Sequence, residues 1–581
     1  MNLRFLTRQI ANAIVTTTGH VNEDRVFFGM QLARRLPAPA SRTVGMMLSR
    51  APGAAAAAAA AWLLGQESRA KELIAQAEVE RPSRLLGEIA LNLGLLDSAA
   101  RIAVAVVSGQ SLRSRILWTL GNIDEAIDVL PGTRRGQRLQ AEREILGPAW
   151  WPQVDETVIA RPAARTTRSS GSPSSLHVLT NSLPHTRSGY AYRSHLILKT
   201  LQDAGHSVRA ATRPSYPVTI GRFSQRDVET VDGVDYLRHV PIVPAPTPSA
   251  RLSEQATWIA KQALRSQVDV LHTTTHYVNG LAAGAAARAV GMPWVYEVRG
   301  VLEETWAAAG ATDAERTMRR NSQRFALMRA KEIEVASSAD AVITLGETMR
   351  EHLISNGVDA NSITLIPNSV SEAVVAADSS RASADVRASL ELPREGIWVG
   401  TAASIVGYEG LDDLVDAVIM ARAQGTDLRL LIAGDGVALP ELRERAAALG
   451  DSAVFTGRVS QAEAIEYQLG LDAIVVPRKD EPVCRLVTPI KPIEAMGLGR
   501  PVVISDLPAL NELVPESAGL RVNAGDPRGL ADLLSELAAD DCARIRFGKN
   551  GRDHVLATRR WRDIGQRYGQ VYSRLIGVSP R

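Results

Sequence analysis

RLVTPIKPIEAMGLGRPVVIS, residues 485–505, sets the problem. Thr488 followed by Pro489 predicts a helix start, with a hydroxyl as N-cap and proline at the first helical position. A capping box would put Glu or Gln three residues on. That place holds Lys491, one turn before Glu494. A cation there opposes the positive end of the helix and costs stability unless something negative meets it. Upstream, LDAIVVP (471–477) predicts a strand and RKDEPVCRLV (478–487) a loop carrying Arg478, Lys479 and Arg485. A strand, a basic loop and a helix N-terminus together form an anion site, and a bound phosphate or diphosphate resolves the oddity. The alternative is a solvated Lys491, or one paired with Glu481 or Glu494. Glu494 shares the helix face of Lys491, at a depth that suits a ribose diol; a lone glutamate there is otherwise surface decoration.

Strands and helices alternate outward from this stretch. SLHVLTNS, HSVRAATR, VDVLHTT, PWVYEVRG, DAVITLG and SITLIPN form one series of short β-branched runs. IWVGTAAS, LRLLIAGDG, AVFTG, LDAIVVPR and PVVISD form a second. Two successive βαβ series predict an α/β fold of two doubly wound parallel-sheet domains, at 176–385 and 386–558. Functional residues should then follow the strand C-termini. Residues 151–175, rich in Pro, Ser, Thr and Arg, read as a linker. Residues 1–150 read as all-helical. WLLGQESRAKELI, NLGLLDSAARIAV and TLGNIDEAIDVL repeat a helix, a glycine turn and a helix around Gly65, Gly94 and Gly121. Stacked helical hairpins, tetratricopeptide-like, and an ordinary helical bundle both fit.

Composition narrows the function. The 581 residues carry a net charge of +3, which gives no nucleic-acid signal. Two cysteines, Cys484 and Cys542, exclude a disulfide framework and suit a reducing compartment. No apolar run reaches the roughly 18 residues that span a bilayer. The expectation is a cytoplasmic protein, peripheral at most to the inner face of the plasma membrane. The first segment, MNLRFLTRQIANAIVTTTG, reads as a packed helix, with an interfacial amphipathic helix as the alternative. No H-E-x-x-H, D-x-D or paired-cysteine metal signature occurs, and no G-x-S-x-G.

TPIKPIEAMGLGRPVVISD resembles the donor segment of family 4 glycosyltransferases of the GT-B fold. IPNSV (366–370), GYEGLDDLVDA (407–417), LLIAGDG (430–436) and FTGRVS (455–460) occur in the family's order. LTNSLPHTRSGYAYRSHLILKTLQDAGHSV (179–208) and VYEVRGVLEETW (295–306) agree on the N-terminal side. The resemblance covers about residues 176–575. It implies two Rossmann-like domains facing across a cleft, the nucleotide-sugar on the C-terminal one and the acceptor on the other. It places Glu494 on the ribose, and Thr488, the Ile490 backbone and Lys491 on the diphosphate and sugar. Gly434, Asp435, Gly436 and Val459 would surround the nucleotide, and Gly189 would let the first helix approach the phosphates. On the acceptor side it points to His272 or His276, and to Arg299 with Glu297 and Glu303. RRWRDIGQRYGQVYSRLIG (559–577) resembles the helix that crosses back and braces the hinge.

Two departures stand out. Leu486 replaces the first of the family's glutamate pair, and Ser404 and Glu409 stand where members carry Arg and Lys. The diphosphate-neutralising charge would then come from Arg478, Lys479, Arg485 and Lys491. The implied activity is retaining transfer from a UDP- or GDP-sugar to a glycan, polysaccharide or glycolipid, without a cofactor or dedicated metal. A nucleotide-sugar epimerase and a non-catalytic scaffold for surface-polysaccharide assembly stay open. Residues 1–150 are expected to meet a protein partner or a membrane surface, since stacked hairpins build concave faces.

Overall fold

The computed structural model describes residues 3–33, 36–107, 109–159 and 172–577. The first α/β domain holds β1 (Ser174–Leu179), β2 (Ser207–Thr212), β3 (Val228–Val231), β4 (Val234–Leu237), β5 (Val270–Thr274), β6 (Trp294–Val298), β7 (Ala341–Thr344) and β8 (Ile363–Leu365). They form one sheet in the order β3-β4-β2-β1-β5-β6-β7-β8, parallel except for the β3–β4 hairpin. The second domain holds β9 (Ile397–Ala402), β10 (Leu428–Ala433), β11 (Ala453–Gly457), β12 (Ala473–Val476), β13 (Val502–Ser505) and β14 (Gly519–Val522). Its order is β11-β10-β9-β12-β13-β14, all parallel. The strand reversal beside β1 and beside β9 opens the crevice in which such sheets take ligands.

β1 and β5 are buried along their whole length, as expected of central strands covered on both faces, and they read as continuous rather than alternating runs. The β3–β4 hairpin escaped the sequence reading. Its turn is Asp232–Gly233, both at positive φ, and β3 is only half buried, so the apolar signal is weak.

The N-terminal region contains three successive helical hairpins: Ala54–Leu63 with Glu67–Glu80, Arg84–Asn92 with Leu96–Ala105, and Gln110–Leu120 with Ile123–Asp128. Gly65, Gly94 and Gly121 stand in the left-handed region at each turn, where a Cβ would be strained. Ile74, Leu86, Ile89, Ile102 and Leu112 are packed together between the hairpins. The array sits on the first domain through an Ile123–Leu146–Met328 cluster and a bond from the Arg324 amide to the Gly121 carbonyl.

The predicted linker is shorter at both ends. Trp151 packs under the Arg288 guanidinium, Val158 is buried, and β1 begins at Ser174; residues 160–171 lie outside the described residues. The last helix, Trp561–Leu575, returns to the first domain, where Trp561, Ile564, Tyr568 and Tyr572 are buried among strand and helix residues.

Gly434 lies at φ 149°, and a Cβ there would stand 1.8 Å from the Ala403 carbonyl oxygen, so the loops after β9 and β10 touch backbone to backbone. Gly434→Ala should therefore unfold at lower denaturant by several kcal/mol, or fail to fold. Gly425→Ala, also at positive φ but with open space around it, should cost only about 1 kcal/mol. Urea titration of the two variants checks this; equal losses would contradict the close approach.

Candidate functional site

The helix after β12 begins later than its sequence suggests. Ile490 is the N-cap and the helix runs Lys491–Gly497, with Pro492 in its first turn. Thr488 is buried two residues upstream and caps nothing; its Oγ1 has no hydrogen-bond partner. The reason is tertiary: Asn368 of IPNSV donates its side-chain amide to the Thr488 carbonyl at 3.1 Å and holds that residue outside the helix. Lys491 thus occupies the first helical position.

Lys491 is paired, with a partner different from the two considered. Its Nζ lies 2.6 Å from Oε2 of Glu409, the residue of YEGL. Arg478 donates to both oxygens of the same carboxylate, at 3.1 and 3.3 Å, and to the Val487 carbonyl at 2.9 Å. Burial works to raise the Glu409 pKa, but Lys491 and Arg478 outweigh it and hold it at about 2. One anion between two buried cations leaves a net positive charge at the helix N-terminus.

The other two expected cations are neutralised elsewhere. Lys479 pairs with Asp412 at 2.8 Å and Asp413 at 2.6 Å, and Arg485 lies exposed against Asp480. The basic set of four at this helix reduces to Arg478 and Lys491. Glu481 faces the first domain instead, bonded to Arg316 at 3.0 Å and to Arg320.

Glu494 is half-buried one turn below Lys491. Burial pushes its carboxyl up to about 7, with Lys491 pulling the other way. Across the loops, Gly436 approaches the Ile405 carbonyl as closely as Gly434 approaches Ala403, so both glycines serve loop stacking. Asp435 accepts from the Gly436 amide and faces solvent beside Arg458; Ser404 is exposed and Val459 half-buried.

In the first domain, the segments after β1, β5 and β6 line a cavity of about 310 Å³. His276, Arg299 and Asn181 border it, and each keeps a buried polar atom (Nδ1, Nε and Oδ1) with no hydrogen-bond partner among the described residues. Burial, with the charge of Arg213, takes His276 down to about 4, so its imidazole is neutral at pH 7. Gly189, at the start of helix Gly189–Asp203 behind the Ser188 cap, faces open space.

His272 and Glu297 are placed otherwise. Both are fully buried, away from any opening. Glu297 accepts from Arg193 at 2.9 Å, Arg299 at 2.8 Å, Tyr568 at 3.0 Å and His272 at 3.2 Å. His272 Nδ1 meets the Tyr572 hydroxyl at 2.7 Å. They form an ion network joining β5, β6, helix Gly189–Asp203 and the last helix, not an acceptor surface. Glu303 is buried too, near Arg329 at 3.6 Å, and its pKa is raised by burial. Sequence reasoning passed over Arg193, Asn368 and Asn181; Asn368 lies in the quoted IPNSV, but only the fold brings it to Thr488.

A second cavity, about 770 Å³, lies between the 305–316 segment and the C-terminal domain at Ile405–Tyr408, Val437 and Lys479. Among the described residues no cluster of three or more His, Cys, Asp or Glu could hold a metal ion, and no helix is long and apolar enough to cross a membrane.

A nucleotide-sugar bound through Glu494 would need the carboxylate to accept diol hydroxyls. Its affinity should therefore fall as pH drops through about 7, and Glu494→Gln should flatten the profile. Stability runs the opposite way. The folded carboxyl holds its proton above the unfolded value near 4.5, so stability is full below that and declines as pH rises toward 7. Calorimetric titration and melting across pH 5–8 (from about two units below the midpoint to about one above) check both signs.

Comparison with known proteins agrees with this architecture. The glycosyl transferase 4-like domain model matches residues 188–369, and the glycosyl transferases group 1 model matches 395–540. A GDP-mannose-dependent monoacylated alpha-(1-6)-phosphatidylinositol monomannoside mannosyltransferase of Corynebacterium glutamicum is 30% identical over 29% of this chain and 44% of its own length. A phosphatidyl-myo-inositol mannosyltransferase of Mycobacterium leprae is 31% identical over 28% and 42%. The chain thus spans less than half the length of these curated relatives. Sucrose-phosphate synthase from Thermosynechococcus elongatus superposes with a TM-score of 0.56, at 22% identity, over 70% of this chain and all of that one. Anabaena HepE, solved with UDP, gives 0.52 at 15% identity over 69% of this chain and all of that one. This chain thus carries a glycosyl transferase 4-like domain and a glycosyl transferases group 1 domain, in the GT-B fold, behind an N-terminal helical extension.

Proposed function

We propose that the protein transfers a sugar from a UDP- or GDP-sugar to a glycan or lipid-linked acceptor, with retention of anomeric configuration. The observation that carries the reading is Glu494: a half-buried carboxylate of raised pKa, one turn below a net-positive helix N-terminus. The relatives named for GDP-mannose and phosphatidylinositol support the substrate classes.

In this reading Glu494 accepts the ribose hydroxyls, and Thr488, the Ile490 backbone and Lys491 meet the diphosphate and sugar. Arg478 adds the second charge. Gly434, Asp435, Gly436, Ser404 and Val459 frame the nucleotide. As the bond from the anomeric carbon to the phosphate oxygen breaks, charge grows on the leaving diphosphate, and fixed cations and helix amides stabilise it without reorganising. The acceptor hydroxyl enters from the leaving-group side, bonds to the anomeric carbon and passes its proton to the departing phosphate. Neutral His276 and Arg299 border the acceptor cavity and orient that hydroxyl. No resident metal has a part, so turnover should survive chelation by EDTA.

Glu409 favours a second reading. It already consumes charge that a diphosphate would use, as in a non-catalytic scaffold. A panel of UDP- and GDP-sugars separates the two: an enzyme shows slow donor hydrolysis and a thermal shift with one nucleotide, and a scaffold shows neither. Lys491→Ala and Glu494→Ala should each weaken nucleotide binding by about tenfold to a hundredfold, the worth of one charge-assisted bond. Unchanged affinity in a folded variant would reject the donor site.

A further inference from the structure

The first helix, Leu3–Glu23, is inside out. Its buried face carries Phe5, Gln9 and Asn12, while Leu3, Ile10 and Ile14, one stripe at helical spacing, point to solvent at 75%, 45% and 60% exposure. The buried amides fix it to the first α/β domain. Gln9 exchanges two 2.8 Å bonds with the backbone of Ser224, and Asn12 donates to Ser215 Oγ at 2.9 Å and the Pro241 carbonyl at 2.8 Å. These bonds seat the helix beside two loops whose own apolar side chains, Phe223, Ile242 and Val243, are exposed. A lone exposed leucine means little; a stripe of three on one helix, with further exposed apolar side chains on the two loops that seat it, marks a contact surface.

Charge identifies what it contacts. Arg4 and Arg8 lie on the same helix as the stripe, and Arg222 and Arg226 flank Phe223, all exposed, with acids at Asp227 and at Glu254, which accepts from the Ala245 amide. Apolar side chains rimmed by arginine match an anionic bilayer, where the stripe enters the acyl boundary and the guanidinium groups meet lipid phosphates. Placement agrees. The two loops follow β2 and β4, so they leave the sheet at the strand ends that also build the His276 cavity, and Arg213 of the first loop is near enough to lower the His276 pKa.

We propose that this face docks the protein on an anionic membrane leaflet, setting the acceptor cavity at the lipid surface. The inference rests on the lipid-linked acceptor of the proposed function and names where such an acceptor would arrive.

Flotation of the full chain with phosphatidylcholine vesicles, with and without phosphatidylglycerol, tests it. Binding is expected only with the anionic lipid, and weaker as salt screens it. Ile10→Ser/Ile14→Ser and, separately, Arg4→Gln/Arg8→Gln should each cut partitioning about tenfold, with the nucleotide thermal shift retained as proof of fold. Failure of the parent protein to float, or flotation of both variants equal to that of the parent, overturns the proposal. So does a dimer in light scattering that Ile10→Ser/Ile14→Ser dissociates, since the patch is then a subunit interface. Nucleotide binding without flotation removes this inference and leaves the transferase reading; flotation without nucleotide binding does the reverse.

Discussion

A carboxylate buried without water must be surrounded by charge and hydrogen-bond donors, and Glu297 shows how much structure that demand can organise. Its side chain, at the end of a central strand, collects two arginines, a histidine and a tyrosine. Those partners come from the first helix of the domain, the neighbouring strand and the last helix of the chain. Residues as far apart in sequence as Arg193 and Tyr568 are thereby fixed around one charge. Its pKa is held well below the carboxylate range: burial opposes ionisation, and Arg299 and Arg193 overcome it. Removing Glu297 itself would strand two arginines in the interior, which costs more than losing a surface contact of the same kind.

Glu409 repeats the device on the facing domain with a different result. Again one acid meets two cations, but here the surplus sits where a helix N-terminus adds its own partial charge. The two cations come from the loop after β12 and the helix behind it, and the acid from the loop after β9 holds both. Both domains therefore use a buried carboxylate to hold arginine in place, one joining strands to helices and the other at a helix N-terminus.

Most of the fold was legible because parallel strands buried on both faces leave continuous β-branched runs, as in LDAIVVPR and PVVISD. The hairpin turns of the N-terminal array were legible from Gly65, Gly94 and Gly121, which stand where only glycine avoids strain. What stayed hidden depends on residues far apart in sequence. Thr488 carries every local mark of an N-cap, and Asn368 overrides them from 120 positions away. His272 and His276 look alike beside the same strand. One lies within β5 and is sealed against Tyr572 of the last helix; the other lies past the end of the strand, as N-cap of the next helix, and borders a cavity. Lys491 pointed to an anion, read as a phosphate or as Glu481 or Glu494; that Glu409 meets it was beyond any local pattern.

The amide of Asn368 touches both halves of the molecule. It donates to Thr488 just before the helix Lys491–Gly497 and accepts from Arg193, whose other arm grips Glu297. A shift at one end can reach the other through this planar group, beside the pairs that Glu481 makes with Arg316 and Arg320. Thermodynamic reciprocity then applies: whatever factor occupancy of one domain imposes on the affinity of the other through this relay, the reverse influence must equal it.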